Sequence, residues 1–575
     1  MCFGICNEIV NGLRFILTPR DKWHLLGVCG LLCIGAVLEI AGLGLLLPLV
    51  AAFTKPELFE QQSILRLFRG IFAWADEKEF QLICCGCIAV VYLLKNIWIF
   101  CITRLYAKFT YSKVVAICNR LYTNFVASEY GIYADLGKVE LCSLISKVEQ
   151  MGGMVLLPCM VLLVDVMSIL FIMFMLSFTI PGVTLGCALI FGVGSLLIWL
   201  PARRKSWKIG EGINAVISKI NKICFYSFDD IKSIKVYGLE KFFVDSFSSA
   251  RKEKGDLDAS YYVLGQIPRL FLEVLAVVAA LGMLAFMLWR GEAVGTVILS
   301  FSLLIAAMSR MLPAISRLNY SLNSIRIGYP VFRDIIAAAQ WKREDLGPEN
   351  VKLEFKGELR MENLSFSYPG SDRKIIDHLD LEVKPCGSLA VVGPTGSGKS
   401  TLIDLLLGVR QPTEGRITVD GKDIRNYLGA WRKLIGFVPQ FIVLADDSIA
   451  ANVAQGVPRS MIDRERVREV LRIAQLEKFV DSLPEGMDTV IGDNGIRLSG
   501  GQRQRLGIAR ALFRDPEIII FDEATSALDI ETEQALIDAL DGLYGQKTLI
   551  MVAHRLSTVE KCDQRIAINP EGKEL

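Results

Sequence analysis

A glycine-rich loop containing one lysine is the segment of this sequence best suited to bind phosphate. Residues 393–400 read GPTGSGKS, after the apolar run AVV and before the helix-prone TLIDLLLG. In such a loop, backbone N–H groups surround phosphate oxygens, the lysine adds positive charge, and the final serine holds Mg²⁺. We therefore expect ATP phosphates to meet the following residues: Gly393, Pro394, Thr395, Gly396, Ser397, Gly398, Lys399, Ser400 and Thr401.

Two adjacent carboxylates follow a second apolar run, IIIFDEATSALD, at residues 518–529. Asp522 ends the predicted strand, where it can meet Mg²⁺ through water. Glu523 is a candidate general base for the attacking water. Between the loop and this strand lies LSGGQRQR, residues 498–505, which other kinds of phosphate-loop ATPase do not need. Together these segments predict ATP hydrolysis with Mg²⁺ as cofactor.

These motifs resemble the nucleotide-binding domain of ATP-binding-cassette (ABC) transporters over residues 353–575. The resemblance implies that Tyr368 stacks on adenine. It also implies that Gln440 holds Mg²⁺ and the attacking water, and that His554 contacts the γ-phosphate during catalysis. In this family the signature LSGGQ and a nearby aspartate complete the ATP site, which here are Ser499, Gly500, Gly501, Gln502 and Asp529.

The first half of the chain is too apolar for a soluble protein. The 575 residues have a mean hydropathy of +0.41, and long apolar runs end near residue 312. We predict six spans, at 25–53, 80–103, 156–180, 182–200, 268–289 and 294–312. The expected fold is a six-helix all-α exporter-type transmembrane domain (1–335), a linker (336–352) and an α/β P-loop cassette (353–575).

Charge distribution predicts the orientation in the membrane. Segments 104–155 and 201–266 are long and basic, whereas the connection after the third span is nearly uncharged. By the positive-inside rule, both basic segments and both termini face the cytoplasm of a bacterial inner membrane. The net charge is +2, and we expect no nucleic-acid partner. Of the 15 cysteines, eight lie within apolar runs. No pair of cysteines has histidines at metal-ligand spacing, so we expect no structural metal site.

One cassette and one membrane half, without an internal repeat, predict a dimer. In the ABC family each ATP lies between the phosphate loop of one cassette and the signature of another, so a single cassette cannot complete its own site. Both motifs are intact here. We therefore expect a homodimer with two equivalent sites, and a different half-transporter as partner remains an alternative.

Several charged residues fall inside predicted spans. Lys95 lies within the second, Arg269 opens the fifth, and Arg310 lies near the end of the sixth. A charge at the membrane centre costs about 3 kcal/mol on insertion scales, so it normally faces the bundle interior. Glu273, four residues after Arg269, shares its helix face and is expected to neutralise it. Arg310 and Arg317 close the sixth span, and the alternative for these two is that their side chains extend from the end of the span to the membrane surface.

The spans have a narrower resemblance. Segments 38–48, 90–97, 267–275 and 309–317 resemble the lipid-linked oligosaccharide flippases of bacterial protein N-glycosylation, the PglK type. This implies a polyprenyl-pyrophosphate-linked oligosaccharide, or a similar anionic glycolipid, as cargo, with membrane lipids as partners. Lys95, Arg269 and Arg310 would then contact the substrate. A flippase for lipid A or phospholipid is the main alternative, and a multidrug or peptide exporter is another.

Overall fold

The computed structural model describes residues 8, 11–12, 14, 18–44, 70–71, 74, 76–179, 181–291, 294–492, 495–522, 541–552 and 561–569. The chain forms two compact units. The first comprises Met1–Ser128 and Tyr133–Lys342, and the second comprises Glu129–Ile132 and Arg343–Leu575. Each unit is described by itself.

The described residues of the first unit are almost entirely helical. A π-helical turn, Gly152–Leu156, joins two of the helices. The helices are α1 (Pro19–Gly44), α2 (Glu77–Ala127), α3 (Tyr130–Met151), α4 (Leu157–Thr179), α5 (Pro181–Asp229), α6 (Ile231–Tyr237), α7 (Glu240–Trp289) and α8 (Val294–Ala339).

Within the described part of the chain, three helical stretches are long and apolar enough to cross a membrane. They are Cys85–Ala127, Tyr130–Phe174 and Glu240–Trp289. The spans predicted at 80–103, 156–180 and 268–289 overlap these stretches, although residue 180 is not described. The other three predicted spans, 25–53, 182–200 and 294–312, include residues or side chains that are not described.

Close helix packing holds the first unit together. Leu121, Val148, Met151 and Ile335 are fully buried between α2, α3 and α8. Where α5 crosses α8, a Cβ at Gly210 would lie 2.5 Å from the carbonyl oxygen of Ile327. Any side chain at this position would force the helices apart, so Gly210 permits their close approach.

The second unit is an α/β domain with two sheets. Its strands are β1 (Leu359–Ser367), β2 (Lys374–Val383), β3 (Ser388–Val392), β4 (Glu414–Val419), β5 (Lys422–Asp423), β6 (Ile435–Val438), β7 (Ile518–Asp522), β8 (Thr548–Val552) and β9 (Gln564–Ala567). Its helices are α9 (Lys399–Leu406), α10 (Leu428–Leu434), α11 (Ile449–Val453), α12 (Arg464–Ile473), α13 (Glu477–Asp481) and α14 (Gly500–Phe513). Short 3₁₀ turns occupy Ile424–Tyr427, Arg459–Met461 and Gly486–Asp488.

The parallel sheet positions the residues expected to bind ATP. Its strand order is β6-β7-β8-β3-β9, and the antiparallel sheet has the order β2-β1-β4-β5. Strands β3, β7 and β8 are buried along nearly their whole length, as expected for a parallel sheet covered on both faces. Parallel strands end at one edge, and ligands bind outside those carboxyl ends. The glycine-rich loop after β3 and Asp522 at the end of β7 therefore lie along the same edge.

Candidate functional site

The glycine-rich loop follows β3 and requires glycine at two positions. Gly393 has φ of +157°, and a Cβ there would lie 2.5 Å from the carbonyl oxygen of Ile568. Gly398 has φ of +102°, and a Cβ there would lie 2.9 Å from a methyl carbon of Ile375. At Gly396 the surrounding space is open. The loop is thus tight against the domain at both ends and open in its middle, where a phosphate group can approach the backbone.

Lys399 closes the loop from the first turn of α9. Its ammonium group donates hydrogen bonds to the carbonyl oxygens of Gly393 and Pro394, both at 2.9 Å. The residue is 5% exposed, and a buried charge of this kind requires such partners. The lysine charge is therefore held against the loop before any phosphate arrives.

The loop also contains a buried hydroxyl that supports phosphate binding. Ser397 is 2% exposed, and within the described coordinates its Oγ atom makes no hydrogen bond. Leaving such a group without a partner costs about 1–3 kcal/mol. A phosphate oxygen in the loop would supply the missing partner. The residues present therefore fit the phosphate chain of a nucleoside triphosphate.

The three expected Mg²⁺ ligands belong to the same edge of the parallel sheet. Gln440 follows β6, Asp522 ends the adjacent strand β7, and Ser400 lies in the first turn of α9. Hydroxyl, amide and carboxylate oxygens suit Mg²⁺, which proteins usually bind with few side chains together with substrate phosphates and water. Among the described residues, no group of three or more His, Cys, Asp or Glu side chains could hold a metal ion.

Tyr368 lies beside the phosphate loop, as its expected contact with adenine requires. Its hydroxyl oxygen is 3.1 Å from the hydroxyl oxygen of Thr401. Its ring is nearly perpendicular to that of Phe366, and the two ring centroids are 5.2 Å apart. The guanidinium of Arg410 lies 4.9 Å from the Tyr368 ring centroid. Sequence reasoning missed Arg410, because the segment GVRQPTEG carries no pattern that marks an arginine for ring stacking.

The signature residues form the start of α14. Ser499 Oγ accepts a hydrogen bond from Gln502 N at 3.2 Å, and Gln502 Oε1 accepts one from Ser499 N at 2.8 Å. This capping box explains why serine and glutamine stand three residues apart. It also leaves the N–H groups of Gly500 and Gly501 at a helix N-terminus, where anions bind favourably.

Three of the predicted catalytic or nucleotide-contacting residues, Glu523, Asp529 and His554, lie outside the described residues, and their roles stay predictions. Their described neighbours are consistent with those roles in one respect. Asp522, which precedes Glu523, pairs in register with Val552, which lies two residues before His554.

The first unit contains a cavity of about 400 Å³ lined by charged and polar side chains. Lys95 is 3% exposed, and its ammonium lies 5.7 Å from the Tyr92 ring centroid. Asp165 is 1% exposed and accepts hydrogen bonds from Arg317, at 2.6 Å from Nη2 and 3.0 Å from Nε. The lining also includes the polar residues Asn96, Thr103, Ser168 and Ser309, together with apolar residues such as Ile99 and Val164.

Arg317, whose side chain the sequence left open to lie either in the bundle or at the membrane surface, pairs with Asp165 and lines this cavity. The expected pairing of Arg269 with Glu273 was wrong. The side chains of Arg269 and Glu273 are both exposed in this chain, and these two described residues form no ion pair with each other. Of the three predicted substrate residues, Lys95 lines the cavity and Arg269 does not. The side chain of Arg310 lies outside the described residues.

The sequence is similar to known transport proteins. The pattern of the ABC transporter family matches residues 376–526. The ATP-dependent lipid A-core flippase of Nitrosococcus oceani is 31% identical over 431 residues, covering 75% of this chain and 72% of that protein. The ATP-dependent lipid A-core flippase of Burkholderia orbicola is 34% identical over 430 residues, covering 73% of this chain and 70% of that protein. The ATP-dependent lipid A-core flippase of Ralstonia nicotianae is 50% identical over 220 residues, covering 38% of this chain and 37% of that protein.

A solved structure shares the fold. The structure of a bacterial Atm1-family ABC exporter with ATP bound superposes with a TM-score of 0.79 at 21% identity, covering 96% of this chain and 94% of that one. The expected fold class, a helical transmembrane domain of exporter type followed by an α/β cassette, is confirmed.

The phosphate loop yields a first prediction. Replacing Lys399 with alanine removes the charge that faces the bound phosphates, and a charge-assisted hydrogen bond contributes about 1.5–3 kcal/mol. We expect Lys399→Ala to weaken binding of a fluorescent ATP analogue to the detergent-solubilised chain about ten- to a hundredfold. The control is Lys384→Ala, which removes an exposed lysine outside the loop. Unchanged affinity in Lys399→Ala would contradict the site.

The Asp165–Arg317 pair yields a second prediction. Asp165→Asn leaves the arginine charge without its carboxylate, and breaking a fully buried pair costs about 3–5 kcal/mol. Because the Arg317 side chain is 57% exposed, we expect a smaller loss of stability, about 1–3 kcal/mol, seen as a lower midpoint of thermal unfolding. Arg333→Gln, which breaks an exposed pair with Asp334, should shift the midpoint little. Equal shifts in the two variants would show that the buried pair has no special role.

Proposed function

The chain belongs to the ABC transporter family, and we propose that it is an ATP-driven flippase of the exporter branch that moves an anionic lipid across the bacterial inner membrane. Members of this family hydrolyse ATP on the cassette and couple that reaction to transport. In this proposal, residues 1–335 carry the lipid, residues 353–575 hydrolyse ATP, and residues 336–352 connect them. Both termini are cytoplasmic, as the basic segments predict.

The extent of similarity to lipid flippases carries this proposal. The aligned region in the Nitrosococcus oceani protein is 431 residues long, which exceeds the whole segment 353–575. The similarity therefore extends into the membrane helices, which are the part of a transporter that contacts cargo. This observation supports a lipid over a drug or peptide as the cargo class.

The cavity in the first unit supports an anionic headgroup. Lys95 and Arg317 supply two positive charges, and Asp165 supplies one negative charge. The charged oxygens of a phosphate group can accept hydrogen bonds from a guanidinium and from an ammonium at the same time. Such bonds are strongest at low dielectric. A volume of about 400 Å³ accommodates a headgroup fragment and not a whole lipid. We therefore assign Lys95 and Arg317 to headgroup binding.

The comparisons favour a lipid A type of glycolipid over the polyprenyl-pyrophosphate-linked oligosaccharide that the spans suggested. Each relative described above is a lipid A-core flippase by name. Both cargoes are glycolipids with phosphate, so the charges in the cavity suit either. The oligosaccharide remains a second candidate because of the resemblance of segments 90–97 and 309–317.

The ATP reaction needs few residues of this chain. The loop and Lys399 would hold the triphosphate, and Ser400, Gln440 and Asp522 would hold Mg²⁺, whose charge would offset that of the phosphates. Glu523 accepts a proton from the attacking water, and His554 contacts the γ-phosphate. In the homodimer, the signature residues 499–502 and Asp529 of each chain complete the site of the other.

The test of the proposed function is lipid translocation by the purified chain in proteoliposomes. The lipids are a lipid A-core glycolipid, a polyprenyl-pyrophosphate-linked oligosaccharide and a zwitterionic phospholipid, each offered separately. We expect ATP-dependent translocation of the lipid A-core glycolipid. Translocation of the polyprenyl lipid alone would favour the second candidate. If ATP drives translocation of none of the three lipids, the flippase assignment is wrong.

Lys95 provides a third prediction, on the same assay. Lys95→Gln removes a buried ammonium from the cavity, and loss of a charge-assisted contact should lower the translocation rate about tenfold or more while basal ATP hydrolysis persists. Lys95→Arg keeps the charge and should retain translocation. Lys108→Gln, an exposed position on the same helix α2, is the control. Normal translocation by Lys95→Gln would remove Lys95 from the headgroup site.

A further inference from the structure

The guanidinium of Arg410 lies between two tyrosine rings of the second unit. Its central carbon is 4.9 Å from the ring centroid of Tyr368 and 5.6 Å from that of Tyr130. Both distances are within the range of cation–π attraction, about 6 Å. Tyr368 is the expected adenine contact, whereas Tyr130 comes from a distant part of the sequence that had no assigned role.

Arg410 lies just after the helix that begins at the phosphate loop and is bonded to that helix. Its Nε donates to Asp404 Oδ2 at 3.1 Å, and the backbone N–H groups of Val409 and Arg410 both donate to the Asp404 carbonyl oxygen, at 3.0 and 3.2 Å. Asp404 is part of α9, which starts at Lys399. The guanidinium plane is therefore fixed relative to the phosphate loop and cannot swing freely to another partner.

Tyr130 connects this cluster to the helical part of the chain. It belongs to the short segment Glu129–Ile132 that forms part of the second unit. Glu129 follows α2, which ends at Ala127, and Tyr130 is the first residue of α3. The rest of α3 belongs to the first unit. A force on the Tyr130 ring thus acts on the first turns of α3, whose helical geometry is interrupted at Gly137.

We propose that Arg410 is a positioning residue that couples adenine binding at Tyr368 to the turn at residues 129–132. Arg410 orients the Tyr368 ring by stacking on it, and the Tyr368 hydroxyl is directed towards Thr401. Adenine that stacks on Tyr368 shifts or stiffens this ring, and Arg410 passes the change to Tyr130. The proposal rests on the proposed ATP site, because it requires adenine to contact Tyr368.

The coupling is tested by comparing ligands with and without a nucleobase. Equilibrium binding to the full-length chain is measured for ATP and for inorganic tripolyphosphate. Arg410→Lys keeps the charge but loses the flat guanidinium, and loss of a cation–π contact of about 0.5–1 kcal/mol corresponds to a factor of about two to five in affinity. We expect ATP affinity to fall by that factor and tripolyphosphate affinity to stay unchanged. If the role of Arg410 is purely structural, the affinities for ATP and for tripolyphosphate should fall together.

Tyr130 supplies the decisive variants. Tyr130→Leu removes the ring and should lower ATP affinity by a factor similar to that of Arg410→Lys, whereas Tyr130→Phe keeps the ring and should not. The double variant Tyr130→Leu/Arg410→Lys should be no weaker than either single variant, because both break one chain of contacts. Arg425→Lys is the matched control, since Arg425 makes a similar ion pair with Asp423 without stacking on a described ring.

The results separate failure of the coupling from failure of the ATP site. Unchanged ATP affinity in Tyr130→Leu, or strictly additive effects in the double variant, would overturn the coupling through Arg410. Unchanged ATP affinity in Tyr368→Leu would instead contradict the adenine contact and the proposed site with it. If Arg410→Lys does not fold, the comparison of Tyr130→Leu with Tyr130→Phe still decides, because Tyr130→Phe preserves the ring.

Discussion

The tight closure of the loop 393–398 is the constraint on which the ATP-binding unit depends. A carbonyl oxygen and a methyl group approach the backbone so closely at Gly393 and Gly398 that no side chain fits, and both residues have positive φ. Lys399 then bonds two loop carbonyls. This geometry is possible because β3 is an inner strand of the sheet, between β8 and β9, which gives the loop a rigid base. Thr401 lies on the helix that the loop begins, and Tyr368 and Arg410 each contact a residue of that helix.

The membrane-embedded part obeys a different constraint, the cost of burying charge. Asp165 is fully buried, and Arg317 satisfies it with three hydrogen bonds. Lys95 lines the same cavity, which gives that cavity an excess of positive charge among its lining residues. Charged side chains are costly to bury in a membrane, and the Asp165–Arg317 pair lowers this cost because each charge has an opposite charge beside it.

Local patterns allowed much of the fold and of the ATP site to be predicted from sequence. Spacing within one loop predicted a phosphate-binding loop at residues 393–401, and apolar run lengths located three of the membrane-length helices among the described residues. Contacts between distant segments could not be predicted. Asp165 and Arg317 are 152 residues apart, and their meeting depends on how two helices are rotated about their axes. On a third helix, α7, Arg269 and Glu273 are exposed and unpaired with each other, although their spacing suggested a pair. Arg410 gave no signal because its partners are set by tertiary packing.

The central claim is that ATP is bound between two copies of this chain, and mixed dimers test it most directly. Lys399→Ala disables a phosphate loop, and Ser499→Arg disables a signature. The two variants are given different affinity tags, co-expressed, and purified through both tags so that only mixed dimers remain, and ATP hydrolysis is measured. The account predicts that each variant alone is inactive and that the mixed dimer regains part of the wild-type rate, since it contains one site with both motifs intact. A mixed dimer as inactive as its parents, or full activity in the Ser499→Arg homodimer, would contradict the shared site.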